Sequence, residues 1–262
     1  VAVTDLTLHV EEVRGANEIA PRLLPCRVER KEQLNHDVMR LWLKLPEGQR
    51  LQFFAGQYLD FILPDGRKRA FSIANAPHDD ALVELHVRHV PGGAFTDHVF
   101  HGMAEKAILR IQAPLGTFTL REASDRPMLF MGGGTGFGPI KGMIEHAMYL
   151  GIRRPMHLYW GVRSRRDLYL AELPQAWVRD WPGFSYTPVL SEPDPDWAGR
   201  TGFVHEAVAA DHPDLSGFDI YMSGPPVMVE AGRLACEARG ATMDHMFSDA
   251  FTYAADKGRL SG

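Results

Sequence analysis

The stretch Met131–Pro139, MGGGTGFGP, holds residues suited to binding a phosphate. It stands between an apolar run that reads as a strand and a run that reads as a helix. Glycines there let an anion approach backbone N–H groups, and the helix start adds favourable partial charge. The stretch does not fit G-x-G-x-x-G, because Phe137 and Pro139 fall where the last glycine is needed. Nor is it a P-loop, since Lys141 follows no glycine. The alternative is a glycine-rich turn of structural use alone.

Three further stretches carry chemistry of the same kind. In RKRAFSIANAP, Arg67–Pro77, a strand presents Arg69, Phe71 and Ser72: a fork for a phosphate, a flat face and a hydroxyl. In RHVPGGAFTDHVF, Arg88–Phe100, Gly92 and Gly93 precede a helix with Thr96 in its first turn, a second phosphate cradle. In YMSGPPVM, Tyr221–Met228, a strand ends in Ser223-Gly224 and a Pro225-Pro226 pair starts a helix, at the strand end where open α/β sheets bind ligands. Taken singly, these are equally an ordinary strand with an exposed arginine, a loop, and a helix start.

Other chemistries find less support. His86 and His89 are three apart on a strand and point to opposite faces; His98 and His101 share a helix face but have no third ligand, so no metal site is expected. The basic run RSRRD, Arg163–Asp167, reads first as a solvated loop. No Ser/His/Asp or Cys/His arrangement stands out. Two cysteines, Cys26 and Cys236, make no disulfide framework, point to a reducing cytoplasm, and are too few for the four thiolates of a plant-type [2Fe–2S] cluster. Lys+Arg 28 against Asp+Glu 33 gives a net charge of −5, which removes a general electrostatic case for nucleic acid or an anionic membrane. No apolar run is long enough to span a bilayer, and no signal peptide is visible.

The elements that must position these residues change character midway. Short alternating strands are expected at Leu24–Gln33, Val38–Leu45, Tyr58–Leu63, Arg67–Ala74, Leu82–His89 and Ile108–Gln112, with one helical insertion at Ala94–Met103. That predicts a small antiparallel six-stranded β-barrel over residues 22–120. Beyond REASDRP the strands PMLFM, MHLYWGV, FSYTPVL, FDIYMSG and HMFSDAF alternate with helices near Pro139–Leu150, Asp167–Asp180, Gly202–Ala210 and Pro226–Arg239. This predicts an α/β domain with a parallel sheet over residues 121–262. Residues 1–21 read as a lone strand, Val3–Val10, and a polar linker.

The order and spacing of the motifs decide more than any one of them. Arg69-Ala70-Phe71-Ser72, then Gly92-Gly93 with Thr96, then Gly132–Gly136, then Ser223–Pro226, then Asp249-Ala250-Phe251 resembles the ferredoxin–NADP reductase superfamily over about residues 22–254. Within it, FSIANAPHDD, LYWGVRSRRDLYL and FSDAF look like the CDP-6-deoxy-glucoseen reductase and oxygenase-reductase group, and the last third also resembles bacterial NAD(P)H:flavin reductases. The resemblance implies a flavin-binding barrel followed by a nicotinamide-binding domain. It implies that Arg69 holds the flavin phosphate, that Phe71 packs on the isoalloxazine, and that Ser72 lies beside flavin N5. Ala70, His86 and Val87 join them at the flavin, and Gly92, Gly93 and Thr96 match a loop for a pyrophosphate, which favours FAD over FMN. Gly133, Gly134, Thr135 and Gly136 match the nucleotide phosphate turn, with Gly161, Arg163, Asp167, Gly224 and Pro225 also at the nucleotide. Ser223 stands where the family more usually has Cys near the nicotinamide, and Phe251 matches the aromatic that shields the flavin. Ser72, Ser223 and Phe251 are thus the expected catalytic set.

The implied activity is reduction of FAD by NADH, with electrons passed singly to an iron–sulfur acceptor. NADPH stays open, because Asp167 suits a ribose hydroxyl while Arg163, Arg165 and Arg166 suit a 2′-phosphate. Two rivals are an enzyme that uses free flavin as substrate and a module that senses nicotinamide without turnover. Thr4–Val10 resembles the last strand of a plant-type ferredoxin domain, so a [2Fe–2S] domain ahead of Val1 is a further expectation.

Overall fold

A computed structural model describes residues 19–251, so the strand expected at Thr4–Val10 lies outside the described residues. The first half forms an antiparallel sheet of β1 (Arg22–Gln33), β2 (Val38–Lys44), β3 (Tyr58–Ile62), β4 (Lys68–Ser72), β5 (Val83–Arg88) and β6 (Ile108–Leu115), in the order β4-β3-β6-β1-β2-β5. A bridge between Ile73 and Leu85 joins the two edge strands and closes the expected barrel. Alternation drives this: Leu24, Cys26 and Val28 of β1 point inward with Leu41, Leu43, Leu59, Phe61, Leu85 and Val87. The insertion before β6 is a single helical turn, α1 (Ala94–Asp97), which runs on into a π turn at His98–Gly102.

The second half is the expected parallel sheet. It contains β7 (Met128–Gly133), β8 (Met156–Val162), β9 (Phe184–Leu190), β10 (Arg200–Thr201), β11 (Asp219–Gly224) and β12 (Met246–Ala250), in the order β10-β9-β8-β7-β11-β12. The chain runs outward from β7 to β10 and then returns to β11 on the other side of β7. The carboxyl ends of β7 and β11 therefore form a topological switch point, where such sheets bind ligands. The helices α2 (Phe137–Tyr149) and α3 (Glu172–Asp180) cover one face, where Phe130, Phe137, Ile140 and Trp177 pack. The helices α4 (Val204–Asp211) and α5 (Pro226–Glu237) cover the other, over Leu129, Met131, Val208 and Val229.

Two helix boundaries differ from expectation for identifiable reasons. The helix expected at Asp167–Asp180 is broken, because the Asp167 carboxylate folds back onto the Ser164 N–H (2.8 Å) and hydroxyl (3.0 Å), which closes a short 3₁₀ turn at Arg165–Asp167. Only Glu172–Asp180 is α-helical there. The helix expected from Gly202 starts at Val204, since Gly202 takes φ +96 and cannot belong to a right-handed helix. The two-residue strand β10 has no sequence expectation behind it.

Candidate active site

Two adjoining cavities hold most of the expected site residues. The barrel-side cavity, about 410 Å³, is walled by Arg69, Ala70, Phe71 and Ser72 of β4, His86 and Arg88 of β5, Gly93 and Thr96 of the loop before the π turn, and Asp249–Phe251 at the end of β12. The sheet-side cavity, about 370 Å³, is walled by Gly133, Gly134 and Thr135 after β7, Gly161 and Arg163 at the end of β8, Asp167, and Pro225 after β11. Arg88 and Thr135 line both. Both volumes lie in the range of small-molecule sites, about 300–1,000 Å³.

The barrel-side wall is made of side chains. β4 carries Arg69 beside Lys68, and both face the cavity with Arg88, which supplies positive charge suited to an anionic ligand. Phe71 leans on Phe61 and Phe95, ring centroids 5.7 and 5.5 Å away, so its ring is fixed from behind. Ser72 Oγ donates to Asp249 Oδ2 at 3.0 Å, tying β4 of the barrel to β12 of the second sheet. Burial raises the Asp249 carboxyl above its usual range, while the Ser72 hydroxyl pulls the other way. Thr96 Oγ1 accepts from the Val90 N–H at 3.1 Å and lies 3.1 Å from the Gly93 carbonyl, stapling the loop. A Cβ on Gly93 would stand 2.9 Å from Thr96 Oγ1 and 3.0 Å from the Val90 carbonyl, so only glycine closes that loop tightly.

The sheet-side wall combines glycines at strand ends with apolar side chains, Val204 and Met228 among them. Gly134 adopts φ +54 and its open side faces Arg88, 3.6 Å from where a Cβ would sit. Gly133 is packed under α5, where a Cβ would meet Met228 Sδ at 2.4 Å. Asp167 lies at this rim with one carboxylate oxygen already spent on its capping turn, and the other is 3.5 Å from His36 Nε2. Arg165 is turned to Asp196 at 3.3 Å.

Five expected residues stand apart from both cavities. Val87 points into the barrel core and is fully buried. Gly92 makes a left-handed turn, φ +77, with open space around it. Gly136 faces β11, where a Cβ would stand 2.0 Å from the Ser223 carbonyl oxygen, and Gly224 faces Gly133. Ser223 is fully buried, lines neither cavity, and its Oγ has no hydrogen-bond partner among the described residues.

Sequence reasoning missed the polar seam behind the cavities. Glu84, His86 and Arg88 alternate along the outer face of β5, which would be solvent-facing in an isolated barrel. Here α2 covers that face. Lys141 Nζ donates to Glu145 Oε2 (2.9 Å), Glu84 Oε2 (3.1 Å) and the Ala74 carbonyl (3.2 Å), which uses all three of its hydrogens. Gly138 and Gly142 let the barrel approach, since a Cβ on Gly142 would be 2.8 Å from the Asn75 carbonyl. A signal was present: Gly138, Lys141, Gly142 and Glu145 recur at i, i+3, i+4 and i+7, one face of a helix. Burial pushes Glu84 up, but its bonds to His86 and Lys141 win and bring it from 4.5 to about 2. Among the described residues, no helix is long and apolar enough to cross a membrane.

Comparison with known proteins agrees with this division. Residues 25–120 match the oxidoreductase FAD-binding domain and residues 130–233 the oxidoreductase NAD-binding domain. The chain is 38% identical over 250 residues to the CDP-6-deoxy-L-threo-D-glycero-4-hexulose-3-dehydrase reductase of Yersinia pestis, covering 95% of this chain and 75% of that one. It is 34% identical to the ferredoxin--NAD(P)(+) reductase component of the naphthalene 1,2-dioxygenase/salicylate 5-hydroxylase systems of a Ralstonia species, covering 96% and 76%. The crystal structure of the Amycolatopsis cytochrome P450 reductase GcoB superposes with a TM-score of 0.84 at 37% identity, covering 89% of this chain and 71% of that one.

Proposed function

This chain belongs to the FAD- and NAD-binding oxidoreductases of the ferredoxin reductase type, and from that premise we propose that it takes reducing equivalents from NADH and delivers them singly to a [2Fe–2S] protein or domain. The observation that carries this reading is the shared wall of Arg88 and Thr135, which sets a flavin cavity directly against a nucleotide cavity. FAD, when bound, supplies two-electron chemistry with the nicotinamide and one-electron chemistry with the acceptor, which no side chain here can do.

The chain's own residues bind and orient. Arg69, with Lys68 and Arg88 nearby, neutralises the flavin phosphates. Phe71, fixed from behind by Phe61 and Phe95, and Phe251 at the end of β12 provide apolar faces for a flat ring. Ser72 gives its hydrogen to Asp249, which leaves its oxygen lone pairs for a ligand N–H. The loop stapled at Gly93–Thr96 sets the start of α1 against a pyrophosphate. On the other side, the Gly133–Thr135 turn and Pro225 leave backbone open to the nucleotide, Val204 and Met228 give it an apolar wall, and Phe203 and Val227 stand exposed at the rim. Ser223 is buried with its carbonyl against Gly136, and in this reading it supports the glycine turn from behind.

We favour NADH over NADPH on Asp167 at the nucleotide-cavity wall, which suits a ribose hydroxyl, and on the pairing of Arg165 with Asp196, which leaves Arg163 as the cation of that basic run on the wall. We assign the acceptor to a group beyond residues 19–251, since Cys26 on β1 and Cys236 on α5 are both buried, in the cores of different halves. The relatives named for a dehydrase, a dioxygenase and a cytochrome P450 support an iron-containing acceptor without choosing among them.

The test is direct. The purified chain, reconstituted with FAD, should keep its flavin absorbance through gel filtration, bleach anaerobically with NADH, and then reduce an added [2Fe–2S] ferredoxin. Loss of FAD on the column would point to free flavin as substrate. Nucleotide binding without bleaching would make it a sensor. A kcat/KM for NADPH above that for NADH would reverse the nucleotide preference.

A further inference from the structure

One buried contact joins the walls of the two cavities. His86 belongs to the flavin-cavity wall and Tyr169 to the nucleotide-cavity wall, and His86 Nδ1 lies 3.0 Å from Tyr169 Oη. On its other side His86 Nε2 lies 2.9 Å from Glu84 Oε1. Glu84 is held by Lys141 of α2 at 3.1 Å and has Arg40 at 3.6 Å. The donor directions follow from the partners. An ionised carboxylate only accepts, so His86 Nε2 carries the hydrogen; a neutral ring then offers Nδ1 as an acceptor, and Tyr169 must donate to it. Burial, which lowers the affinity of His86 for a second proton, agrees with that neutral ring. The Tyr169 ring is seated edge-on to Trp160, centroids 5.1 Å apart, and against Phe137 at 6.0 Å.

We propose that the hydrogen bond from Tyr169 to His86 is a positioning element of the reductase: it fixes the nucleotide-cavity wall relative to the flavin-cavity wall, so that Tyr169 sets the affinity for the nicotinamide nucleotide through His86. Glu84 and Lys141 act only by holding His86 in the tautomer that accepts. The inference rests on the enzyme reading above and extends it to residues for which that reading gives no role.

The experiment uses the full chain loaded with FAD. Nitrogen-15 NMR should show His86 as the Nε2–H tautomer. Tyr169→Phe, which keeps the ring and removes the hydroxyl, should raise the Kd for NAD⁺ about tenfold because the unanchored ring no longer fixes the wall the nucleotide meets, while the Kd for FAD stays within about twofold. The two histidine variants separate positioning from simple packing. His86→Asn keeps an acceptor where Nδ1 was, and His86→Gln keeps a donor where Nε2 was, so the asparagine variant should bind NAD⁺ nearer to wild type than the glutamine variant. Unchanged NAD⁺ affinity in Tyr169→Phe, equal losses in the two histidine variants, or an Nδ1–H tautomer would each overturn the proposal. A wild-type chain that binds neither FAD nor NAD⁺ would overturn the enzyme reading and this inference with it.

Discussion

The proposed flavin cavity on the barrel side and the proposed nucleotide cavity on the sheet side are built from different residue types. The first is walled by side chains that alternate out of two strands, Arg69 and Phe71 on β4 and His86 and Arg88 on β5. The second sets glycines at strand ends, Gly133, Gly134 and Gly161, among apolar side chains such as Val204 and Met228. Polar and aromatic side chains announce a ligand by residue type. Glycines do not, because a glycine that opens space for a phosphate and a glycine that lets two chain segments touch are the same letter. A substitution on the barrel side should therefore act on ligand affinity, whereas one in the glycine run should act on stability or on affinity according to which way the missing Cβ points.

The largest expected effect is on the barrel side. Arg69→Ala should weaken FAD binding by roughly 2–5 kcal/mol, the loss of a charge-assisted phosphate contact, with little change in the Tm of the flavin-free chain. Calorimetric titration of the flavin-free variant with FAD measures it, and unaltered affinity would remove Arg69 from the phosphate role. On the sheet side, Gly136→Ala should cost stability first. Its Cβ would stand 2.0 Å from the Ser223 carbonyl and 2.4 Å from that residue's carbonyl carbon, both backbone atoms that cannot swing aside. About 3 kcal/mol is expected for such overpacking, a Tm lower by roughly 6–12 °C for a chain of this size. A variant that melts with the parent would mean that β11 and the turn after β7 are not in backbone contact.

That contrast also marks what the sequence made legible. The period-two runs of the first half and the strand–helix alternation of the second defined both sheets, and β8 and β9 match their expected spans residue for residue. Arg69, Phe71 and Ser72 stand out as a candidate ligand face because Arg, Phe and Ser on one strand are informative types, and all three line one cavity. Gly136, Gly224 and Ser223 meet across the β7–β11 junction, a relation that exists only once strands far apart in sequence become neighbours and that their residue types do not announce. Asp249 went unassigned a role for the same reason, since its partner Ser72 is 177 residues away. The Lys141–Glu84 seam was hidden because an isolated barrel would leave β5 wet on its outer face.

Asp249 offers a smaller effect with a defined sign. Its carboxyl is raised above 3.8 by burial, against the pull of the Ser72 hydroxyl. A raised carboxyl holds its proton more tightly folded than unfolded, so its contribution to stability is complete below pH 3.8 and is lost as pH rises through the folded value. At neutral pH the half-buried charge is a cost, so Asp249→Asn should raise the Tm. Melting temperatures across the acid range measure this: the advantage of the variant should be full at pH 7 and should close by about pH 4. An advantage independent of pH would mean that charge is not its source.

The smallest expected change in stability, and the sharpest test of the glycine run, is Gly134→Ala. Gly134 adopts φ +54, and the nearest atom to an added Cβ is Arg88 Nη1 at 3.6 Å, an ordinary contact. The backbone conformation alone should then cost about 1 kcal/mol, a third of the figure for Gly136→Ala although the two residues are separated only by Thr135. The added methyl would, however, project toward Arg88, which lines both cavities. Titration with NAD⁺ should therefore show weakened binding in Gly134→Ala while its melting curve stays close to that of the parent. If Gly134→Ala melts as early as Gly136→Ala, the two glycines do not face different ways. If it binds NAD⁺ as the parent does, the whole run serves packing, and the phosphates must be held from β8 and α5 instead.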